Sequence, residues 1–208
     1  MESTAQDSVY VVSYIEVAPN AAAPSAALLE RYGAASRNDT GIVRLEVLQR
    51  AAPPHQFAIV SIWADHEAFE AHRDAVHSRR LAADLQPHLI APFDVRAHTA
   101  LAAAPRTAVP TGARPVFIVT HVDVPPPSKD RCIEALDELV EASRREPGAA
   151  RFEVFRQTGR PNHFTVVEVW QDEAAYHTHL TAAHTKRFRD VLTPMTGALY
   201  DERRHRAI

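Results

Sequence analysis

The sequence predicts an α+β protein built from two tandem copies of one βαββαβ unit, on three observations. First, sliding the chain by 107 residues superposes Phe57 on Phe164, Trp63 on Trp170, Asp65 on Asp172, His72 on His179 and His77 on His184 without a gap. About thirty per cent of positions are then identical, which marks an internal duplication. Second, hydrophobic periodicity gives strand, helix, strand, strand, helix, strand in each copy, the split ferredoxin-like order. Third, several strands are apolar on both faces. Such a unit carries both helices on one sheet face and leaves the other bare. The expected cover is the same face of the other copy, giving two ferredoxin-like domains packed sheet to sheet as an internal α+β barrel. The expected boundaries are residues 9–98 for the first copy, 99–115 for a linker and 116–204 for the second.

Each element has a local reason. Val9 to Val17 (VYVVSYIEV) is β-branched and aromatic throughout, as a doubly buried strand requires. Ala22 to Arg37 is rich in Ala and Leu and reads as a helix, with Pro24 tolerated in its first turn. Gly41, like Gly148 in the second copy, breaks the chain before the next strand. Val43 to Arg50 alternates apolar and polar residues, Pro53-Pro54 turns, and Phe57 to Trp63 is the third strand. Asp65 is placed to cap a helix that runs, with a break near His77, to Leu85. Ile90 to His98 closes the first copy. Thr99 to Pro115 is Ala- and Pro-rich without periodicity and reads as the linker. The second copy repeats the order with strands at Val116 to Val124, Ala150 to Gln157, Phe164 to Trp170 and Ala198 to Arg203. Its helices are Lys129 to Arg145 and Glu173 to Leu192.

Composition excludes several classes. The formal charge is -3, too near neutral to suggest a nucleic-acid or anionic-membrane partner. No apolar run approaches membrane-spanning length, Met1 to Ser8 is polar, and a cytoplasmic location is expected. Cys132 is the single cysteine, so no internal disulfide or multi-cysteine zinc site is possible. The six glycines form neither GxG nor GxxxxGK, which removes the usual dinucleotide and phosphate cradles. No metal and no cofactor are expected.

Polar residues inside the apolar strands are the candidate site. Tyr14 and its counterpart His121 interrupt the first strands, and Ser61 and its counterpart Glu168 the third. A carboxylate buried without a partner is costly, so Glu168 either reaches water or meets a donor, and His121 is one candidate. On the second helices, Phe69, His72 and Val76 fall on one stripe, as do Tyr176, His179 and Ala183, while His184 aligns with Phe188. These histidines either pack helix on sheet or serve chemistry. The indole N–H of Trp63 and of Trp170 needs a buried acceptor.

The segments SIWADHEAFEAHRDAVH and EVWQDEAAYHTHLTAAH, with the closing GALYDERRHRAI, resemble the antibiotic biosynthesis monooxygenase domains of the dimeric α+β barrel superfamily. The resemblance covers nearly the whole chain, twice. It implies a cofactor-independent monooxygenase that takes a small quinol- or anthrone-like aromatic and O2. The haem-degrading branch uses an Asn on the first strand, and neither VYVVSYIEV nor VFIVTHVDV has one. On this reading the catalytic candidates are His121, Glu168, His179 and His184, with His121 or Glu168 as base. Tyr14, Phe152, Trp170 and Tyr176 line the substrate. Because Ser61 replaces Glu168 in the first copy, the working pocket is expected in the second. The alternative is a non-catalytic small-molecule-binding or pairing module whose interior is filled by side chains. The expected assembly is an internal pseudo-dimer, with a homodimer of chains left open.

Overall fold

The computed structural model describes residues 8–103, 114–195 and 201–208. They divide into two compact units, the first made of residues up to 99 with 206–208 and the second of residues 100–205. In the first unit, β1 (Val9–Glu16), α1 (Ala22–Ser36), β2 (Ile42–Arg50), β3 (Gln56–Trp63), α2 (His66–Asp74), α3 (Val76–Leu85) and the greater part of β4 (Asp94–Ala102) follow in order. β3 lies between β2 and β1, and β4 pairs with the other edge of β1, all antiparallel. The second unit repeats this with β5 (Val116–Asp123), α4 (Lys129–Ser143), β6 (Ala149–Gln157), β7 (His163–Trp170), α5 (Glu173–Thr181), α6 (Ala183–Leu192) and β8 (Asp201–Ala207). Both units are thus the ferredoxin-like βαββαβ arrangement.

Strand alternation decides which residues meet the helices. Val11, Ile15, Leu45, Val47, Phe57, Ile59 and Trp63 form one core with Leu29, Phe69, Leu81 and Leu85. In the second unit Ile118, Val122, Phe152, Val154, Phe164, Val166 and Trp170 do the same with Leu136, Phe188 and Leu192. Cys132 lies in this second core, where burial pushes its thiol up to about 12. The period of two puts Ser61 and Glu168 on the helix side as well. It puts the half-buried Tyr14 and His121 on the opposite face, where Tyr10, Val12, Val60 and Ile62 are buried.

Two expectations about the elements need correcting. The break expected near His77 falls at Ala75, and the second unit's helix, expected unbroken from Glu173 to Leu192, is split likewise at Ala182; the two alanines are extended at φ/ψ of -63/150 and -61/146. That break rotates the stripe assumed for one helix, and Val76 ends 75% exposed instead of buried. The last strand of the first copy starts at Asp94 rather than Ile90 and runs through Ala102, into the stretch read as linker. Residues 104–113 of that linker, and 196–200 at the start of the expected last strand and closing motif, lie outside the described residues.

Gly41 and Gly148 are the turn positions that only glycine fits. They have φ of +79° and +84°, and an added Cβ would sit 2.5 Å from the Cβ of Ala68 or Ala175 in the first turn of the following helix. That helix start is capped by Asp65 or Asp172, which accepts the backbone N–H of the same alanine. Replacing Gly148 by Ala therefore combines left-handed strain with a clash against the Ala175 Cβ. It should cost roughly 2–4 kcal/mol in urea unfolding of the full chain, and a loss below about 1 kcal/mol would show that the turn has room.

Candidate active site

The close packing of these glycine turns on the helices brings a carboxylate to the histidines. Asp39, three residues past α1, places Oδ2 2.6 Å from His72 Nδ1 and 3.0 Å from His77 Nε2. Glu146 does the same in the second unit, 2.6 Å from His179 Nδ1 and 2.7 Å from His184 Nε2. A carboxylate only accepts, so both imidazoles donate to one oxygen, and the His72 and His179 protons are fixed on Nδ1. Each first histidine then stacks on the tryptophan of the third strand, with ring centroids 4.3 Å apart for Trp63–His72 and 4.5 Å for Trp170–His179. Each indole N–H has the acceptor its burial demands, Ser61 Oγ at 3.0 Å and Glu168 Oε2 at 2.8 Å.

The other nitrogen of the histidine meets different chemistry in the two units. In the first, His72 Nε2 accepts from the Tyr32 hydroxyl at 2.7 Å, with Ser78 Oγ at 3.5 Å. Burial holds His72 below the ordinary histidine value despite the opposing Asp39 carboxylate, so it is neutral at pH 7 with a basic Nε2. Burial also pushes Tyr32 up to about 12, keeping it a neutral hydroxyl. Tyr32, His72 and Ser78 open into a cleft of about 660 Å³ whose other walls include Ile59, Phe69, Leu81, Ala82, Phe93 and Val95. That size and apolar lining suit a small organic ligand.

In the second unit Leu139 stands at the position of Tyr32, and His179 Nε2 faces the Glu168 carboxyl at 3.7 Å. Burial pushes Glu168 up to about 8, only partly offset by the Trp170 N–H. Burial lowers His179, against the pull of Glu146. Where the first unit has Ala82 and Val95 on its cleft, the second has Arg189 and Glu202, paired at 2.9 Å. Tyr176 replaces Phe69, and its hydroxyl is held neutral by burial and by the carboxylates nearby.

Six of the expected site residues therefore come together, Glu168, Trp170, Tyr176, His179, His184 and Phe152, whose ring lies 5.7 Å from that of His179. Two do not join them. Tyr14 belongs to the first unit, under the Arg96 guanidinium at 4.9 Å. His121 is on the opposite sheet face, and the register sets Ile118 opposite Glu168, so the expected His121–Glu168 pair does not form. None of the eight lines the 660 Å³ cleft, which lies in the first unit and not the second. Sequence reasoning passed over Asp39, Glu146 and Tyr32. Its missed signal was an acid 33 residues before the first histidine in both copies, Asp in one and Glu in the other.

A duplicated ferredoxin-like unit with a carboxylate-tethered histidine stacked on a buried tryptophan defines the class. The chain belongs to the antibiotic biosynthesis monooxygenase family, whose model matches residues 8–84 and 115–191. It is 32% identical over 73 residues to YcnE of Bacillus subtilis (strain 168), named as a candidate monooxygenase, covering 35% of this chain and 77% of that one. A solved structure from Fusobacterium nucleatum subsp. nucleatum, likewise named as a candidate monooxygenase, superposes with a TM-score of 0.86 at 18% identity. The match covers 97% of this chain and 92% of that one. An anthrone oxidase-like protein superposes at 0.74 with 12% identity, over 100% and 94% of the two chains. At these identities the two structures show a shared fold. Among the described residues no helix is long and apolar enough to cross a membrane.

The buried Glu168 gives stability a pH dependence with a fixed sign. Its folded value of about 8 lies above the ordinary 4.5, so its contribution is fully present below about 4.5 and is lost as pH rises through 8. Glu168→Gln keeps an acceptor for Trp170 and removes the ionisation. Its stability relative to the parent, measured by denaturant unfolding, should rise between pH 5 and pH 9. A difference that stays flat over that range would place a charged, well-solvated Glu168 in the folded protein.

Proposed function

We propose that the chain is a cofactor-independent monooxygenase that oxidises a small quinol- or anthrone-like aromatic with O2, and that the reaction takes place in the cleft of the first unit. The carrying observation is the hydrogen-bonded chain Asp39–His72–Tyr32 ending in that apolar cleft. An aromatic whose C–H or O–H becomes acidic on enolisation can, once deprotonated, pass an electron to O2 without an intermediary. The protein then has to supply a base, a donor to the developing oxyanion and a space without bulk water.

In this reading Tyr32 and His72 serve as the proton relay and the apolar cleft holds the substrate. The substrate proton moves to the Tyr32 oxygen as Tyr32 passes its own to His72 Nε2, so no free phenolate forms on a hydroxyl held near 12. Asp39 stabilises the resulting imidazolium through Nδ1–H. The substrate anion and O2 combine to a peroxide, which takes a proton back. Loss of a second substrate proton with cleavage of the O–O bond leaves a carbonyl and water, so a methylene and O2 become C=O and H2O. The second unit suits the pairing-module alternative, because Leu139, Arg189 and Glu202 replace the donor and two cleft-side positions.

Oxygen uptake with an anthrone-type substrate should proceed without added flavin, haem, metal or nicotinamide. His72→Ala should lower kcat about 10²–10⁴-fold, and Tyr32→Phe should slow it while leaving the fold intact. The rate should climb on a limb whose midpoint lies below 6.5, the ordinary histidine value, because burial lowers His72. Ala82→Arg with Val95→Glu, which installs the second unit's pair, should abolish turnover. Activity that survives His72→Ala and Tyr32→Phe, or appears only with an added cofactor, contradicts the proposal.

A further inference from the structure

We propose that His121, Asp123 and His163 form a site for one divalent transition-metal ion on the second unit, on the sheet face away from the helices. His121 and Asp123 are two apart on β5 and so share a face, and His163 on β7 is the direct cross-strand partner of Asp123. Their ligand atoms all lie within 4.8 Å of one another. His163 Nε2 is 3.0 Å from Asp123 Oδ1, and the two imidazole centroids are 5.6 Å apart. An edge of about 3 Å is what ligand bonds of about 2.0–2.2 Å produce around one ion. All three residues are half-buried, which leaves room for water to complete the coordination.

Comparison of the two copies separates this trio from the helical histidine clusters. The corresponding positions of the first unit are Tyr14, Glu16 and Gln56, where Gln56 Nε2 simply donates to Glu16 Oε1 at 2.7 Å. Three positions scattered over two strands thus carry ligand types together in one copy only. The clusters around Asp39 and Glu146 occur in both copies, and each has one oxygen in contact with two ring nitrogens, the nearer at 2.6 Å. That spacing is a hydrogen bond, tighter than the edge of a coordination shell. Two imidazoles and one carboxylate select Zn²⁺, Ni²⁺, Co²⁺ or Cu²⁺ over Mg²⁺ and Ca²⁺, which prefer all-oxygen sets. The bound ion would pin the end of β5 to the start of β7. The proposal makes no use of the first unit's cleft and stands apart from the monooxygenase reading.

The test uses the full chain, stripped with a chelator and titrated with Co²⁺ while its visible absorption and histidine ring proton signals are followed. The expected result is one tight site per chain, with paramagnetic shifts on His121 and His163. His121→Tyr and His163→Gln, the residues the first unit already carries at these positions, should each weaken binding about tenfold or more. Asp39→Asn and Glu146→Gln should leave it unchanged. An absence of uptake, binding indifferent to both strand variants, or binding lost in Glu146→Gln would each overturn the proposal.

Discussion

The arrangement of each unit depends on one carboxylate oxygen shared by two imidazoles. On an unbroken helix, residues five apart point about 140° away from each other, so His72 and His77 could not meet a common partner. The extended Ala75 turns the chain back and brings both rings over Asp39, as Ala182 does over Glu146. Gly41 and Gly148 make this possible from the other side by letting the turn before the second strand lie against the helix start. Three chain segments are thus joined at one atom, and the first histidine is held over the buried tryptophan, its ring tilted by 31° in the first unit and 30° in the second. A hydrogen bond to a charged acceptor in a partly buried site is among the stronger ones available to a protein.

With that frame fixed, the two copies differ by what fills the space beyond Nε2. Tyr32, Ser78 and Ala82 line a cleft in the first copy, beside His72. Leu139, Glu168 and Arg189 give the second a buried carboxyl and an ion pair with Glu202. A few side chains thus change the chemistry beside the histidine on the same order of strands and helices. Tethering the histidine to a carboxylate also sets its chemistry. One nitrogen is committed to Asp39, so the other is left as acceptor, and burial keeps the ring neutral.

Much of this could be read in the residues alone. The 107-residue offset, the element order, the capping Asp65 and Asp172 and the need of each indole for an acceptor follow from spacing and from elementary hydrogen bonding. The site was harder to read because its deciding groups lie off the periodic elements or depend on a break in one. Asp39 and Glu146 are in turns, where a lone acid looks solvated. Ala75 and Ala182 are good helix formers, so local propensity does not mark them as the break. His121 failed as a partner for Glu168 through strand parity, which puts residues three apart on opposite faces. Ser61 against Glu168 suggested that the first copy had lost its site. The copy with Ser61 instead carries the 660 Å³ cleft.

The central claim is that His72 is neutral at pH 7, with its proton on Nδ1 and the Nε2 lone pair turned to Tyr32. Long-range ¹H–¹⁵N correlation of the histidine rings reads this directly. The account predicts a protonated Nδ1 and an unprotonated Nε2 for His72, with the pattern disturbed in Asp39→Asn. A His72 protonated on Nε2, or on both nitrogens at pH 7, would contradict it.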